Sequence, residues 1–585
     1  MGSNLQACPG IPGRDRVTVM ATPLAAARSR VHDVRHPAPL LLELDLTADL
    51  LDDVPSDPLS ALQARRRTPL RAVLDNLHDA ADDPRVAGVV ARVGGRPSLA
   101  RVQELADAVR EFRRHGKPAV AWAETFGEFG PGTSGYVLAT AFDEIWLQPS
   151  GDVGLLGVAA GAWFLREALD RAGVEPQLDR RYEYKNAADL LLSREFRAAH
   201  REATARLAAS AFEQVVAAIA TGRGLAAADV RSLVDRAPLM AQEALDAGLV
   251  DRLGYRDEVY ADLRRRLGHD GTVRLLYVGR YERRHRLPER VAGAVHRDRP
   301  VVALVHGSGA IRQGRSGRSF PTGAAMGSET VAAALRAATA AGPVKAIVFR
   351  VNSPGGSYVA SDTIWREVAC AREAGKPVVV SMGDVAGSGG YFVACGADAI
   401  VAQPGTLTGS IGVVGGKAVL TGLRERLGIG HGTVTEGRHA LMFSAQQEFS
   451  AEEWQRLQDW LDRVYDDFTA KVAAGRGMSR EQVHEVARGR VWTGADARER
   501  GLVDELGGLH RAAEIACERA DLPAGTELRR YPSVGLPARL RRPRSSEDPA
   551  AAAAMHLPWG SFTDLATVLG LPAAGPLTMP GLRLT

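Results

Sequence analysis

The sequence lacks an apolar run of the roughly 18 residues that a membrane-spanning helix needs, and no basic-plus-apolar signal pattern opens it. It has only four cysteines, scattered without metal-ligand spacing, which indicates a reducing compartment and no metal site. The net charge is only +4 over 585 residues, too small to indicate a nucleic-acid partner. These absences predict a cytoplasmic globular protein that binds neither metal nor nucleic acid.

Lysine is also scarce. The chain has 73 lysine and arginine residues, of which only six are lysine. Arginine keeps its proton at any useful pH, whereas a buried lysine can lose it and act as a base. Each lysine is therefore a candidate base, although most lysines in proteins are solvated. The six are Lys117, Lys185, Lys345, Lys376, Lys417 and Lys471.

What the chain does contain is an internal repeat of roughly 255 residues. The stretch "GYVLATAFDEIWLQP" resembles "GYFVACGADAIVAQP", so that Tyr136 pairs with Tyr391 and Asp143 with Asp398. The pattern predicts two diverged copies of one unit, joined by a polar linker and followed by a Pro-, Arg- and Ala-rich tail that we expect to be poorly ordered. The predicted parts are an N-terminal tail (1–38), the first repeat (39–290), a linker (283–299), the second repeat (300–522) and the C-terminal tail (525–585).

Each copy alternates strand and helix patterns. Short β-branched runs such as "PVVALVHG", "VKAIVFRVN" and "KPVVVSMG" are typical of buried parallel strands. Helical stretches lie between them, for example residues 361–374, and Ser450 with Glu453 forms a capping-box pattern ahead of a long helix. The alternation predicts an α/β fold in which each repeat has a parallel sheet with flanking helices.

Ser388 stands among glycines in "VVVSMGDVAGSGGYFVACGAD", directly after a predicted strand and before a predicted helix. Such a serine can cap a helix, lie beside a phosphate or serve as a nucleophile. The first copy has Thr133 at the equivalent position and lacks the "SPGG" turn of the second copy. Conversely, Lys185 of the first copy aligns with Ala440 of the second. The asymmetry favours a division of labour, in which one repeat supplies a serine and the other a lysine.

A serine hydroxyl is a weak nucleophile that needs a base within hydrogen-bond reach, and the sequence contains no G-x-S-x-G elbow. A neutral lysine can be that base. Neutralising an ordinary lysine near pH 7.5 costs about 4 kcal/mol, which burial can offset by lowering its pKa. Ser410, in "TLTGSIG", is a candidate for the hydroxyl that orients the amine.

The glycines have a role in the same hypothesis. Attack on an amide creates an oxyanion that backbone N–H groups must meet at about 3 Å, and residues without side chains allow that approach. Gly389, directly after the serine, is one candidate donor. Gly355 or Gly356, after Pro354, is the candidate for the second.

Four motifs together resemble the signal peptide peptidase A, or protease IV, family in its long, duplicated form: "SPGGS", "SGGY", "GTLTGSIGV" and "YEYKNAAD". The resemblance implies tandem Clp/crotonase-like domains, each a parallel-sheet superhelix. It implies a serine endopeptidase with a Ser/Lys dyad and no cofactor, in which Ser388 is the nucleophile, Lys185 the general base and Ser410 the lysine-orienting residue. It also implies a homotetramer that degrades cleaved signal peptides. Two departures are the missing N-terminal membrane anchor and Asn186, where the family has serine after the lysine.

Alternative interpretations remain at this point. The chain could be a catalytically inert peptide-binding scaffold of the same fold, or a crotonase-type acyl-CoA enzyme. The segment "GPGTSG" (130–135) matches G-x-G-x-x-G, but the helix predicted after it is too short for a dinucleotide-binding crossover. A fluorophosphonate probe separates a peptidase, which it labels at one serine, from the other classes.

The C-terminal tail offers a route to a membrane surface. Residues 529–544 include six arginines and are followed by the apolar, Trp-containing "MHLPWGSFTDLATVLGL". Basic residues near anionic lipid contribute about 1 kcal/mol each, and a tryptophan-bearing segment can lie in the interface without crossing it. The sequence thus predicts a cytoplasmic enzyme with a peripheral contact between residues 529–571 and the inner membrane face, against the alternative of a solvated tail.

Overall fold

The computed structural model describes residues 38–48, 50–52, 68–268, 272–281, 299–319, 323–532, 575–579 and 583–584. The first repeat is built on a six-stranded sheet in which every pairing is parallel. In sheet order its strands are Arg274–Tyr277, Leu40–Leu46, Val86–Val93, Ala119–Ala123, Glu144–Leu147 and Arg252–Leu253.

The second repeat has an eight-stranded sheet, in which six strands follow the same order as in the first repeat and two strands, Leu407–Gly409 and Val491–Thr493, are additional. Its pairings are parallel except for the edge strand Val491–Thr493, which is antiparallel to Leu407–Gly409. The path of the sheet is Val491–Thr493, Leu407–Gly409, Val378–Gly387, Val344–Ser353, Val301–Ser308 and Leu528–Arg530. Ala399–Ala402 also pairs with Val378–Gly387, and Glu505–Leu506 pairs with Ala399–Ala402.

Both faces of each sheet are covered by helices, as parallel sheets require. In the first repeat Leu42 and Val89 face the larger core, whereas Leu41 and Val90 face the helix Arg256–Leu267. The first-repeat helices are Leu70–Ala81, Leu99–Arg114, Thr133–Ala139, Arg166–Ala172, Asp189–Leu192, Ala198–Arg223, Ala227–Arg236, Ala241–Asp246 and Arg256–Leu267, with 3-10 turns at Asn186–Ala188 and Val278–Arg280. The second-repeat helices are Ser328–Ala340, Tyr358–Glu373, Gly389–Ala394, Thr421–Arg426, Ala451–Arg476, Arg480–Val486, Gly494–Glu499 and Leu509–Arg519.

Local sequence signals explain several element boundaries. The helix Ala451–Arg476 begins at the predicted capping box, since the Ser450 hydroxyl accepts from the Glu453 N–H and the Glu453 carboxylate accepts from the Ser450 N–H. It ends at Gly477, whose φ of 63° is the left-handed conformation that glycine adopts at low cost. The predicted helix over residues 361–374 is observed as Tyr358–Glu373.

The duplication predicted from the sequence extends to individual hydrogen bonds. The Tyr136 hydroxyl donates to the Leu249 carbonyl, and its counterpart Tyr391 donates to the Leu502 carbonyl. Lys117 donates to two carbonyls at the end of the helix Leu70–Ala81, and Lys376 does the same at the end of the helix Ser328–Ala340. The predicted fold class, two tandem diverged Clp/crotonase-like α/β domains, is confirmed.

The two repeats are joined by strand pairing and by a buried ion pair. Glu175–Arg180 of the first repeat pairs antiparallel with Val414–Val419 of the second. The Arg350 guanidinium lies 2.6 Å from the Glu104 carboxylate across the boundary, with both side chains nearly buried. Because a buried charge without a partner is costly, this pair opposes separation of the repeats.

A smaller sheet stands at the edge of the second repeat. It contains the strands Gly317–Ser319, Gly323–Gly327, Ala310–Arg312, Gly355–Gly356 and Leu577–Thr578. Two further two-stranded pairs are Arg583–Leu584 with Ala160–Gly161, and Asp152–Val153 with Leu239–Met240.

The sequence predicted a poorly ordered C-terminal tail, but the described parts of this tail form strands. Leu528–Arg530 extends the second sheet, and Leu577–Thr578 adds to Gly355–Gly356. Backbone hydrogen bonds to sheet edges supply the order that the Pro-, Ala- and Arg-rich composition does not indicate. The predicted N-terminal tail up to residue 37, most of the predicted linker and residues 533–574 lie outside the described residues. Within the described ranges, no helix is long and apolar enough to cross a membrane.

Candidate active site

Ser388 lies at the junction between the strand Val378–Gly387 and the helix Gly389–Ala394. Its backbone has φ 54° and ψ −114°, a conformation that non-glycine residues rarely adopt because of steric strain. Hydrogen bonds maintain it: the Ser388 N–H donates to the Gly409 carbonyl and the Ser388 carbonyl accepts from the Phe392 N–H, both at 2.8 Å. The turn therefore holds the serine side chain in one fixed direction, buried within the protein.

The first repeat brings Lys185 to this serine. The lysine follows the strand Glu175–Arg180, whose pairing with Val414–Val419 lays this part of the first repeat along the second. Beyond the strand, the Tyr184 N–H donates to the Arg488 carbonyl. The segment that leads to the lysine is thus anchored to the opposite repeat at two points.

Two glycines leave room for the lysine. A side-chain carbon on Gly489 would come within 2.6 Å of the Lys185 backbone, and Gly489 has φ +86°, where only glycine is unstrained. A side-chain carbon on Gly412 would lie 3.2 Å from Lys185 Cδ. Gly412 is part of the quoted "GTLTGSIGV" motif, whereas no pattern in the sequence singled out Gly489.

The Lys185 amine contacts three neutral oxygen atoms. Its Nζ lies 2.8 Å from Ser388 Oγ, 2.9 Å from the Ser410 carbonyl oxygen and 3.0 Å from Ser410 Oγ. The lysine side chain is fully buried. Burial lowers the pKa of Lys185 well below its usual value, since the charged form loses its hydration. The amine is therefore both close to the serine and biased toward its neutral form.

Ser410 has its own constrained backbone. Its φ is 50°, and its N–H donates to the Arg490 carbonyl at 2.7 Å. The residue follows the strand Leu407–Gly409, which pairs with the strand that ends at Gly387. The same sheet therefore sets the positions of Ser388 and Ser410, and the structure brings both to Lys185.

The predicted glycine donors also meet at this point. A Cβ atom added to Gly389 would lie 3.1 Å from the Gly356 nitrogen, and a Cβ atom added to Gly355 would lie 2.6 Å from the Gly389 nitrogen. The backbones of these glycines are therefore close neighbours. The Gly355 N–H donates to Ser353 Oγ at 3.1 Å. Because the Gly355 N–H is already bonded to Ser353, Gly356 is the better candidate for the second oxyanion donor.

Sequence reasoning missed a charged cluster behind the lysine. Asp189, fully buried, accepts hydrogen bonds from Arg180 and Arg197 and lies 3.0 Å from His200 Nδ1. Burial alone would raise the pKa of Asp189, but the hydrogen bonds from His200, Arg197 and Arg180 lower it below its usual range. The residue ends the quoted "YEYKNAAD" motif, which was the available signal.

The cluster connects directly to the segment that carries the lysine. Arg197 Nη2 donates to the Glu183 carbonyl at 2.9 Å, and Arg180 Nη1 donates to the Lys185 carbonyl at 3.4 Å. Asp189 therefore orients two arginines that hold the backbone on either side of Tyr184. At the position equivalent to Ser388 in the first repeat, Thr133 Oγ1 donates to the Gly157 carbonyl at 3.4 Å.

A strained serine, a buried lysine beside it and a pair of glycine nitrogens are the kinds of group that a serine-type peptidase needs as nucleophile, base and oxyanion donors. The model of peptidase family S49 matches this chain twice, at residues 111–269 and 370–523. The chain belongs to this family, and the predicted membership in its signal peptide peptidase A branch, in the duplicated form, is confirmed.

Curated relatives agree over most of the chain. It is 33% identical to "Serine protease SPPA, chloroplastic" of Arabidopsis thaliana, over 79% of this chain and 68% of that protein. It is 33% identical to "Protease 4" of Salmonella typhi, over 77% of this chain and 72% of that protein. Among solved structures, a ClpP1 mutant from Listeria monocytogenes matches 38% of this chain and 99% of its own, with 14% identity and a TM-score of 0.24.

Proposed function

We propose that this protein is a serine endopeptidase with a Ser/Lys dyad, in which Ser388 is the nucleophile, Lys185 the general base and Ser410 the residue that orients the lysine. The observation that carries the proposal is the 2.8 Å contact between Lys185 Nζ and Ser388 Oγ in a fully buried setting. The proposed division of the chain follows: the first repeat (39–290) supplies the base and the second (300–522) the nucleophile.

The proposed reaction begins with attack of Ser388 Oγ on a substrate carbonyl carbon. A neutral Lys185 amine accepts the hydroxyl proton with its lone pair, while its two N–H groups donate to the Ser410 oxygens. The Gly389 and Gly356 N–H groups donate to the oxyanion that develops. The lysine then gives its proton to the leaving amine, which departs and leaves an acyl-enzyme. Water, deprotonated by the same lysine, attacks that ester; the bond to Ser388 Oγ breaks, and the lysine returns the proton to this oxygen as the acid product leaves.

The proposed substrates are hydrophobic peptides, including signal peptides after their cleavage. Support comes from a relative of Enterococcus faecium, 39% identical over 28% of this chain, whose name is "Putative signal peptide peptidase SppA". The alternative of an inert peptide-binding scaffold is not favoured, because a scaffold has no need of a buried lysine beside a strained serine.

A fluorophosphonate probe tests the proposal. Because the probe forms a stable adduct only with an activated serine, we expect one modified peptide, containing Ser388, in a digest of the native protein. Labelling should disappear after heat denaturation, which controls for nonspecific reaction. A native, folded protein that takes up no probe, or takes it up at another serine, would refute the proposed nucleophile.

We expect Asp189 to act as a positioning residue for the dyad. Replacing Asp189 with asparagine removes the charge that orients Arg180 and Arg197, so that the lysine segment should move by a fraction of an ångström. A displacement of about 1 Å can cost on the order of 100-fold in rate. We therefore expect kcat for peptide hydrolysis to fall by about 10- to 100-fold with a small change in KM.

The control for this variant is Asp170→Asn, which removes a partly exposed carboxylate that pairs with Arg166 and Arg194 and should leave kcat within about twofold. A purely structural role of Asp189 would predict a lower thermal midpoint with unchanged kcat below that midpoint. That result would remove Asp189 from the mechanism.

We also propose a homo-oligomer, a tetramer by family resemblance, in the cytoplasm. The family resemblance supports this proposal, and light scattering on the purified protein tests the mass. The proposed lipid contact of residues 529–571 involves Arg529, which pairs with Glu527 at 2.8 Å, and residues outside the described ranges. Flotation with anionic liposomes tests it.

A further inference from the structure

One described part of the C-terminal tail, residues 575–579, lies beside Ser388 as an added β-strand. Leu577 pairs with Gly356 and Thr578 with Gly355 in antiparallel register. The Met579 N–H donates to the Pro354 carbonyl at 2.8 Å. On the other side, the Pro576 carbonyl accepts from the Val414 N–H at 3.0 Å. The segment is thus hydrogen-bonded along both edges, which is how peptides bind by strand addition.

The side chains of this segment fill apolar space. Leu577 is fully buried among the core residues of the second repeat. Met579 is 5% exposed and packs with Leu207, Leu407 and Val491. Leu207 belongs to the first repeat, so that both repeats build the pocket for the methionine.

The backbone of the segment runs over the residues proposed to catalyse hydrolysis. A side-chain carbon on Gly387, next to Ser388, would overlap the Met579 sulfur. A side-chain carbon on Gly355 would lie 2.0 Å from the Leu577 carbonyl oxygen and 2.6 Å from the Gly389 nitrogen. The Leu577 carbonyl therefore lies in the neighbourhood where the proposed oxyanion donors converge. Another peptide cannot occupy the same edge of Gly355–Gly356 at the same time.

We propose that Gly575–Met579 is a ligand of the peptide groove of its own chain and competes there with substrate. The segment is uncharged, extended and apolar at alternate positions, Leu577 and Met579, and these properties define the peptides that the groove accepts. The inference rests on the proposed function only in taking this groove as the substrate site. The occupied chain must release the segment before it binds another peptide, so that the apparent affinity for substrate falls with the fraction of open grooves.

A binding experiment that needs no catalysis tests this. All chains are full length and carry Ser388→Ala, and the probe is a fluorescein-labelled synthetic peptide with the sequence of residues 573–581, AAGPLTMPG. One chain also carries Leu577→Asp and Met579→Asp, because carboxylates cannot enter the apolar pockets without a large desolvation cost. The control chain carries Met555→Asp, the same type of substitution at a methionine of the tail outside residues 575–579.

We expect fluorescence anisotropy to give at least about tenfold tighter binding to the double variant than to the parent or to the control. Equal binding to all three chains, or binding to none, would overturn the proposal. In chains that retain Ser388, the same substitutions should lower KM for a peptide substrate and leave kcat unchanged. A protein that binds the probe with the expected contrast but hydrolyses nothing would refute the proposed function and leave the occupancy intact.

Hydrogen exchange on the full-length native protein supplies a test without tail variants. The Met579 amide should exchange slowly, since it donates to the Pro354 carbonyl, and saturating AAGPLTMPG peptide should accelerate its exchange. The protection should be the same over a hundredfold range of protein concentration, because the ligand is part of the same chain. An unprotected amide, or protection that is lost on dilution, would contradict the proposal.

Discussion

Replacing Ser388 with alanine should lower kcat for peptide hydrolysis by at least about ten-thousandfold. The substitution removes the atom that would form the covalent bond to substrate, and loss of a nucleophile from a unit of this kind eliminates most of its catalysis. The fold should survive, because alanine keeps the backbone hydrogen bonds of the turn to Gly409 and Phe392. The measurement is the rate of cleavage of a hydrophobic peptide at saturating concentration, together with the thermal midpoint.

The matched control is Thr133→Ala, at the equivalent position of the first repeat. Its hydroxyl makes a 3.4 Å contact with the Gly157 carbonyl, and we expect its loss to leave kcat within about twofold. If Ser388→Ala keeps more than about a hundredth of the wild-type rate, Ser388 is not the nucleophile. A large loss in Thr133→Ala would contradict the proposed division of labour between the repeats.

Replacing Lys185 with arginine should be as damaging as replacing it with methionine, with a loss of at least about a thousandfold in kcat. Arginine preserves the charge but cannot deprotonate, and its larger head must occupy the buried space that the lysine amine fills between Ser388 and Ser410. The control is Lys345→Arg, an exposed lysine on the second sheet, which should retain wild-type activity. An active Lys185→Arg enzyme would exclude lysine as the base.

The pH profile provides an independent test of the lysine. Burial lowers the pKa of Lys185, and only the neutral amine accepts a proton. Activity should therefore fall as pH drops through that lowered pKa and should be fully present above it. The profile of kcat/KM should rise well below the usual lysine range. A rate that is flat with pH, or that declines as pH rises through this region, would contradict the assignment.

Residue identities alone were enough to select the candidate reactive groups. Ser388 was selected because its counterpart in the first copy is Thr133, and Lys185 was selected because its counterpart in the second copy is Ala440. The comparison works because the two copies share one fold, so that a residue present in only one copy is not required by the fold itself. The capping box at Ser450 and the buried strands were equally predictable, since local hydrogen bonds and side-chain periodicity specify them.

The sequence by itself therefore determined the tandem α/β fold, the family and the separate candidates Ser388, Lys185 and Ser410. Only the tertiary structure decided that Lys185 and Ser388, 203 residues apart, lie 2.8 Å from each other, because that distance depends on the strand pairing between the repeats. The arginine contacts of Asp189 are likewise decided by the fold, which brings together side chains that have no common local pattern. The position of residues 575–579 depends largely on backbone hydrogen bonds to Gly355–Gly356 and Val414. Every residue except proline carries the same backbone donor and acceptor, so these bonds leave no signal in the composition. For that reason the composition predicted a poorly ordered tail where the structure has a strand.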